Sequence, residues 1–255
     1  MKVLITSNSF GKFDEAPRKR MLDLGWELLD NRYHHIMSEE EMMNEVPGVD
    51  AIILGSDIVS KRVLAKADKL KIISRYGVGI DNIDTAEAEK RGIAVTVTKN
   101  CNTEAVADYT IALMLATLRH VCNVHSSLQK GIWKKETGMD LCHKTVGVFG
   151  LGAIGRQVVK RLKGFECKIL GYDIFADEEY CEKEGICLLS PQEIFKQADI
   201  ITLHVPGNAD GTHFITQQEL ELMKPEAVLI NTARASLIDE TAMVQALRQK
   251  RIYGY

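Results

Sequence analysis

Short runs of apolar and β-branched residues punctuate the first hundred positions, at 2–6, 51–54, 71–74 and 93–96, each bounded by polar or glycine-containing stretches. Runs of four or five such residues are too short for helices and read as buried strands. Between them, 16–24, 38–44, 60–67 and 85–91 carry their apolar residues at helical spacing, and Gly25-Trp26-Glu27-Leu28-Leu29 supplies one more strand. Strand–helix alternation of this kind implies a parallel sheet with right-handed crossovers, so residues 1–100 read as a small doubly wound lobe. The alternation resumes later. Strands are expected at 145–149, 168–172, 186–188, 199–204 and 227–231, and helices at 177–184, 191–197 and 239–250. The expected class is α/β with two doubly wound parallel-sheet lobes, residues 1–100 and 101–255, and a cleft between two such lobes suits a two-substrate enzyme.

Residues 102–120, NTEAVADYTIALMLATLRH, form a helix with an Asn102 or Thr103 cap, Glu104 in its first turn and Arg119 and His120 in its last. Those charges complement the helix dipole. Ala105, Val106, Ile111, Ala112, Leu113, Met114, Leu115 and Leu118 leave almost no polar face in the middle, so several sides must be covered. A core helix between the lobes and a helix shared with a second subunit both satisfy that pattern. At the other end, Ile252-Tyr253-Gly254-Tyr255 reads as an apolar segment entering a new strand, and the chain is expected to be a truncation there.

One stretch specifies a ligand. Thr145 to Phe149 is a strand, Gly150, Gly152 and Gly155 form G-x-G-x-x-G, and Ile154, Val158, Val159 and Leu162 follow at helical spacing. Gly150 permits the tight turn, Gly152 lets a pyrophosphate reach the backbone, and Gly155 lets the helix pack on the strand. The helix N-terminus then offers unpaired N–H groups and a partial positive charge. Asp173 ends the next strand, about 20 residues on, where a carboxylate binds ribose hydroxyls and repels a 2′-phosphate. The expectation is a Rossmann lobe that binds NAD rather than NADP.

Composition narrows the rest. The 255 residues carry a formal net charge of −3, and the one dense basic cluster, Arg18-Lys19-Arg20, fits a solvated helix face, so neither nucleic acid nor an anionic membrane is an expected partner. The N-terminus becomes polar too soon for a secretory signal, no apolar run approaches 18 residues, and a cytoplasmic location is expected. The six cysteines, at 101, 122, 142, 167, 181 and 187, form no C-x-x-C pair and no metal-ligand spacing with histidine, so no metal is expected and packed, reduced thiols are.

Five ordered motifs together carry a resemblance: RYGVGIDNID at 75–84, NTEAVADYTIALML at 102–115, GLGAIG at 150–155, LHVP at 203–206 and NTARASLID at 231–239. The chain resembles the D-isomer-specific 2-hydroxyacid dehydrogenases, most closely their D-3-phosphoglycerate dehydrogenase branch. The resemblance implies a flavodoxin-like substrate lobe ahead of the Rossmann NAD lobe, with hydride moving between C2 of a D-2-hydroxyacid and the nicotinamide, and 3-phosphoglycerate as first substrate. It implies that Gly77, Val78 and Gly79 receive the substrate carboxylate on backbone N–H groups. Arg75 either faces a substrate phosphate or lies at the surface of its strand end, and Asn102 either reaches the substrate or caps its helix. It implies a catalytic Arg234 that holds the carboxylate and polarises the reacting carbon. Cofactor contacts extend from Gly150, Gly152, Ala153, Ile154 and Gly155 to Asp173, to His204, Val205 and Pro206 on the adenine side, and to Thr232, Ala233 and Arg234 beside the nicotinamide. His204 itself reads as a core or cleft-edge histidine without a proton-transfer role. The expected partners are a small 2-hydroxyacid or 2-oxoacid and a second copy of the chain.

Two departures stand out. The family usually places glycine after the arginine of NTARASLID, where this chain has Ala235, and a left-handed backbone there would be strained. The glutamate and histidine with which the family completes its proton transfer are expected beyond Tyr255, and none of His34, His35, His120, His125, His143 or His213 sits in a matching motif. Two rival readings are a non-catalytic NAD(H)-sensing module and an inactive, shortened dehydrogenase.

Overall fold

The apolar runs do become strands, and they assemble in two separate sheets. The structure, a computed structural model, describes residues 1–208 and 211–255. Its chain divides into two compact units, Met1–Asn102 and Thr103–Tyr255.

In the first unit the elements run β1 (Lys2–Ile5), α1 (Ala16–Asp23), β2 (Glu27–Asp30), α2 (Glu39–Glu45), β3 (Ala51–Leu54), α3 (Lys61–Lys66), β4 (Ile72–Arg75), α4 (Thr85–Lys90) and β5 (Ala94–Val97). All five strands are parallel in the order β2-β1-β3-β4-β5. This is the flavodoxin-like order, which reverses direction between β1 and β3. Leu4, Ile52 and Ile73 project from the strands into a core closed by Met42, Val63, Leu64 and Ala88 from the helices. Polar residues start those helices where the sequence places them. Ser38 and Glu41 form a reciprocal cap on α2, Ser60 caps α3 and Asp84 caps α4.

The second unit runs α5 (Thr103–Leu118), α6 (Val121–Gln129), β6 (Thr145–Phe149), α7 (Ala153–Leu162), β7 (Lys168–Tyr172), α8 (Glu178–Glu184), β8 (Cys187–Leu188), α9 (Pro191–Gln197), β9 (Ile200–Leu203), α10 (Gln217–Leu222), β10 (Val228–Asn231) and α11 (Glu240–Arg248). Its parallel sheet has the order β10-β9-β6-β7-β8. That is the Rossmann order, and it reverses between β6 and β9. Both faces are covered. Val146 and Val148 pack with Ala107, Met114, Val158 and Val159, while Phe149, Leu203 and Leu229 pack with Ile194, Phe195 and Met243. Gly147 has a spatial reason to lack a side chain, since a Cβ there would stand 2.3 Å from Cγ2 of Ile194 on α9.

Two helices lie outside those expected from the sequence. His120 takes a left-handed backbone, φ 53°, and turns the chain from α5 into α6, whose axis diverges by 68°. Helix α6 buries none of its residues, although Val121, Val124 and Leu128 recur along it at helical spacing. Helix α10 begins with a reciprocal cap between Thr216 and Glu219. The apolar segment at 252–255 does align as a strand start. Gly254 bridges Val228 in parallel, and the Leu229 N–H donates to the Gly254 carbonyl over 3.0 Å. Among the described residues no single helix is long and apolar enough to cross a membrane.

Candidate functional site

The second sheet's register decides what meets at its carboxyl edge. Phe149 pairs with Tyr172 and with Leu203, and Leu203 pairs with Asn231. The residues that follow these strand ends, Gly150, Asp173, His204 and Thr232, therefore emerge along one line. The reversal between β6 and β9 opens the crevice in which such sheets bind ligands.

The turn at that crevice is built by excluding side chains. Gly150 has φ +92°, and a Cβ on it would lie 2.5 Å from the His204 carbonyl oxygen, so both backbone and space require glycine. A Cβ on Gly155 would lie 1.9 Å from the Gly150 carbonyl oxygen. Gly152, the N-cap of α7, is different, because a Cβ there would meet nothing within 4 Å and would enter open space. The first bond of the helix runs from the Arg156 N–H to the Gly152 carbonyl, leaving the N–H groups of Ala153 and Ile154 without partners among the described residues. Open space above a helix start with unpaired donors fits a pyrophosphate.

Asp173 accepts the Leu151 N–H on one oxygen at 2.7 Å and the Phe175 N–H on the other at 2.9 Å. It is thereby fixed to the glycine turn, and a carboxylate with four lone-pair directions still has capacity for ribose hydroxyls. Beside it, Gly171, Asp173, Ala176 and Leu189 contribute to a hollow of about 310 Å³. Arg156 braces the turn from below. Its Nε donates to the Leu151 carbonyl at 3.0 Å, its fork pairs with Asp177 at 2.9 Å, and its guanidinium lies 4.0 Å from the centre of the Tyr180 ring. Arg156 is not among the residues expected at the site, and its place one residue after the glycine motif is the signal that marks it.

His204 is half-buried, and burial pushes its imidazole down to about 4. Its Nε2 sits 3.0 Å from the Thr202 hydroxyl. A neutral ring in that position fits a histidine at the cleft edge. Val205 packs on the core and Pro206 is exposed beside it.

The loop after β10 is held by side chains of the motif itself. Asn231 accepts the Ala233 N–H at 3.0 Å and donates to the Arg234 carbonyl at 2.8 Å, while the Thr232 hydroxyl lies 3.1 Å from that of Thr110 on α5. The Arg234 guanidinium donates to the Ala233 carbonyl at 2.9 Å. Ala235 opens a short 3-10 turn, Ala235–Leu237, and is not among the left-handed residues, so this loop does not require the family's glycine.

The remaining candidates belong to the first unit. Gly77 has φ +156°, and the N–H groups of Val78 and Gly79 have no hydrogen-bond partner among the described residues, as a backbone nest for an anion requires. Arg75 donates to the carbonyls of Gly79 at 2.9 Å, Tyr76 at 2.8 Å and Leu54 at 3.3 Å, which gives it a bracing role in that loop. Asn102 ends the unit with its Oδ1 buried and unpartnered among the described residues, so that oxygen does not cap α5.

The fold and edge define a dinucleotide-binding α/β domain, and comparison with known proteins gives its lineage. Residues 111–255 match the model of the D-isomer specific 2-hydroxyacid dehydrogenase NAD-binding domain, and the chain belongs to that family. It is 41% identical over 220 residues to the D-3-phosphoglycerate dehydrogenase of Methanocaldococcus jannaschii, a match covering 85% of this chain and 42% of that protein. It is also 41% identical over 223 residues to the glyoxylate reductase of Thermococcus litoralis, covering 84% and 67%. The chain thus spans less than half the length of the first relative and about two thirds of the second. Among solved structures, the D-lactate dehydrogenase of Aquifex aeolicus complexed with NAD and lactic acid superposes with a TM-score of 0.82 at 29% identity, covering 99% of this chain and 75% of that one.

Proposed function

We propose that the protein carrying this chain is an NAD-dependent dehydrogenase that interconverts a D-2-hydroxyacid and its 2-oxoacid, with 3-phosphoglycerate as the first substrate to try. The observation that carries this reading is the single edge on which the glycine turn, Asp173 and the Arg234 loop emerge in register. Relatives at equal identity are named for phosphoglycerate and for glyoxylate, so the family alone does not choose the substrate.

In this reading NAD, when bound, supplies the hydride acceptor. The open helix start at Ala153 and Ile154 holds its pyrophosphate, Asp173 its adenosine ribose, Val205 and Pro206 flank the adenine side, and Thr232 and Ala233 border the nicotinamide. Arg234 binds the substrate carboxylate and polarises C2, a preorganised charge whose removal typically costs about 10²- to 10³-fold in rate. Val78 and Gly79 offer their unpaired N–H groups to the same class of anion, in a loop that Arg75 keeps in shape, and Asn102 turns its spare oxygen toward ligand. A homodimer is part of the proposal. Tyr109 on α5, Val121 and Leu128 on α6, and Ile132 and Trp133 just after it are all exposed apolar side chains of the second unit, as a subunit contact would need. The cytoplasm is its proposed location.

The test is NADH formation by the full-length gene product from a panel of D-2-hydroxyacids. Arg234→Ala should cut kcat/KM at least about 100-fold while leaving NAD affinity intact, and equal rates would remove Arg234 from the mechanism. Asp173→Ala should loosen the preference for NAD over NADP, and an unchanged ratio would take the acid away from the ribose. NAD binding with no turnover of any hydroxyacid would favour a sensing module.

A further inference from the structure

The first unit has its own carboxyl edge, and two adjoining hollows open there. One, of about 430 Å³, lies over the reversal between β1 and β3 and is lined by Ser7, Asn8, Gly55, Arg75 and Tyr76 among others. The second is larger, about 750 Å³, and Asn8, Lys12, Glu15, Arg18 and Lys19 contribute to its wall. Ser7 and Asn8 line both, and the ring of Phe10 in the larger hollow meets the ring of Tyr76 in the smaller edge to face, with centres 5.7 Å apart. The two therefore share a wall.

The charges in the larger hollow are not self-compensating. Asp30 gives both carboxylate oxygens to the fork of Arg18, at 2.8 and 2.6 Å. Glu15 also acts on that guanidinium, which is held above its ordinary range first by the Asp30 hydrogen bond and last by the Glu15 charge. Glu15, Lys12 and Lys19 make no ion pair among the described residues, so three cations, Lys12, Arg18 and Lys19, line the hollow against two acids, Glu15 and Asp30. The loop between β1 and α1 adds backbone donors, since the N–H groups of Asn8 and Gly11 have no partner among the described residues. Two ammonium groups and unpaired N–H groups around one cavity suit an oxyanion. Arg75, the residue the family resemblance points toward a phosphate, places its Nε and one terminal nitrogen on three carbonyls of its own unit.

We propose that this hollow is an anion subsite, with Lys12 and Lys19 as its charges, that takes the distal phosphate or carboxylate of a D-2-hydroxyacid. It rests on the dehydrogenase reading and narrows its substrate class to acids with two anionic groups, ahead of glyoxylate or lactate. The experiment compares 3-phosphoglycerate, D-2-hydroxyglutarate and D-glycerate on the full-length protein and on Lys12→Ala, Lys19→Ala and the double variant. The double variant should raise KM for a dianionic acid about tenfold or more and leave kcat and all D-glycerate kinetics unchanged. Which dianion responds decides between phosphate and carboxylate. An equal loss on D-glycerate, or no change with either dianion, overturns the proposal. A second measurement is independent of turnover: titration with inorganic phosphate, followed by amide NMR, should give saturable shifts at Asn8 and Gly11 that the double variant lacks. Absence of those shifts in the wild-type protein sinks the subsite even if the enzyme is active. Their presence with no hydroxyacid turned over sinks the dehydrogenase reading alone.

Discussion

The carboxyl edges of the two units solve the same problem by opposite means. In the second unit the ligand-facing turn is shaped by what is missing: Gly150 and Gly155 let backbone meet backbone, and Gly152 leaves open space. In the first unit the corresponding reversal is shaped by a buried polar knot. Asp57, 1% exposed, accepts the Thr6 hydroxyl and, at 2.7 Å, the Met37 N–H; the Gly55 N–H donates to that hydroxyl at 2.7 Å. Asn31 donates to the Thr6 and His35 carbonyls, and Asn82 to that of Asp57 at 2.6 Å. A glycine turn is local and suits a backbone contact to pyrophosphate. A polar knot joins loops distant in sequence and can vary with the substrate.

The comparison breaks first where each device is most dependent on one residue. Asp57→Ala leaves the Met37 N–H unpaired and the Thr6 hydroxyl without its acceptor, and should cost about 2–5 kcal/mol of stability. Gly155→Ala drives a Cβ into the Gly150 carbonyl, which cannot rotate away, and should cost about 1–3 kcal/mol together with NAD binding. Urea melts and NAD titrations on both variants check this. If Asp57→Ala melts like wild type, the knot is not what shapes the first edge.

This contrast explains what could be read from the chain. All five strands of the second unit were legible because their residues are mostly apolar runs, and the glycines and Asp173 could be placed on one turn because they lie within about thirty residues of sequence, from Thr145 to Asp173. Helix α10 carried a readable signal in Thr216 and Glu219. Helix α6 carried one too, in Val121, Val124 and Leu128 at helical spacing, although nothing in it is buried. The first-unit knot was invisible: Thr6, Asn31, Met37 and Asp57 are ordinary polar or apolar residues until the sheet order brings them together. The same holds for Arg75, whose acceptors on Leu54, Tyr76 and Gly79 follow from how two loops fold back.

A smaller effect sharpens the second edge by pH. The His204 imidazole is pushed from an ordinary value near 6.5 down to about 4 by burial. Between those values the unfolded chain binds a proton that the folded chain refuses. This histidine's penalty is therefore absent above about pH 7 and grows as pH falls toward 4, by at most about 1.4 kcal/mol per unit and about 1–3 kcal/mol in all. His204→Gln should flatten that part of the profile relative to wild type, in denaturation midpoints measured near neutral pH and near pH 4.5. Parallel profiles would mean that the ring is open to solvent.

The smallest change to the fold should come from Gly152→Ala, and it separates structure from ligand within one motif. Gly152 has φ −75°, which alanine tolerates, and its added Cβ meets no protein atom within 4 Å. The only structural loss is a poorer N-cap, under about 1 kcal/mol, or roughly 2–4 °C or less in Tm for a unit of this size. The same methyl group would stand where a pyrophosphate must approach the N–H groups of Ala153 and Ile154, so the Kd for NAD should rise about tenfold or more. Gly155→Ala should lose stability and binding together, whereas Gly152→Ala should lose binding alone. Wild-type NAD affinity in a well-folded Gly152→Ala protein would move the pyrophosphate off this helix start and reduce the turn at the second edge to a packing device.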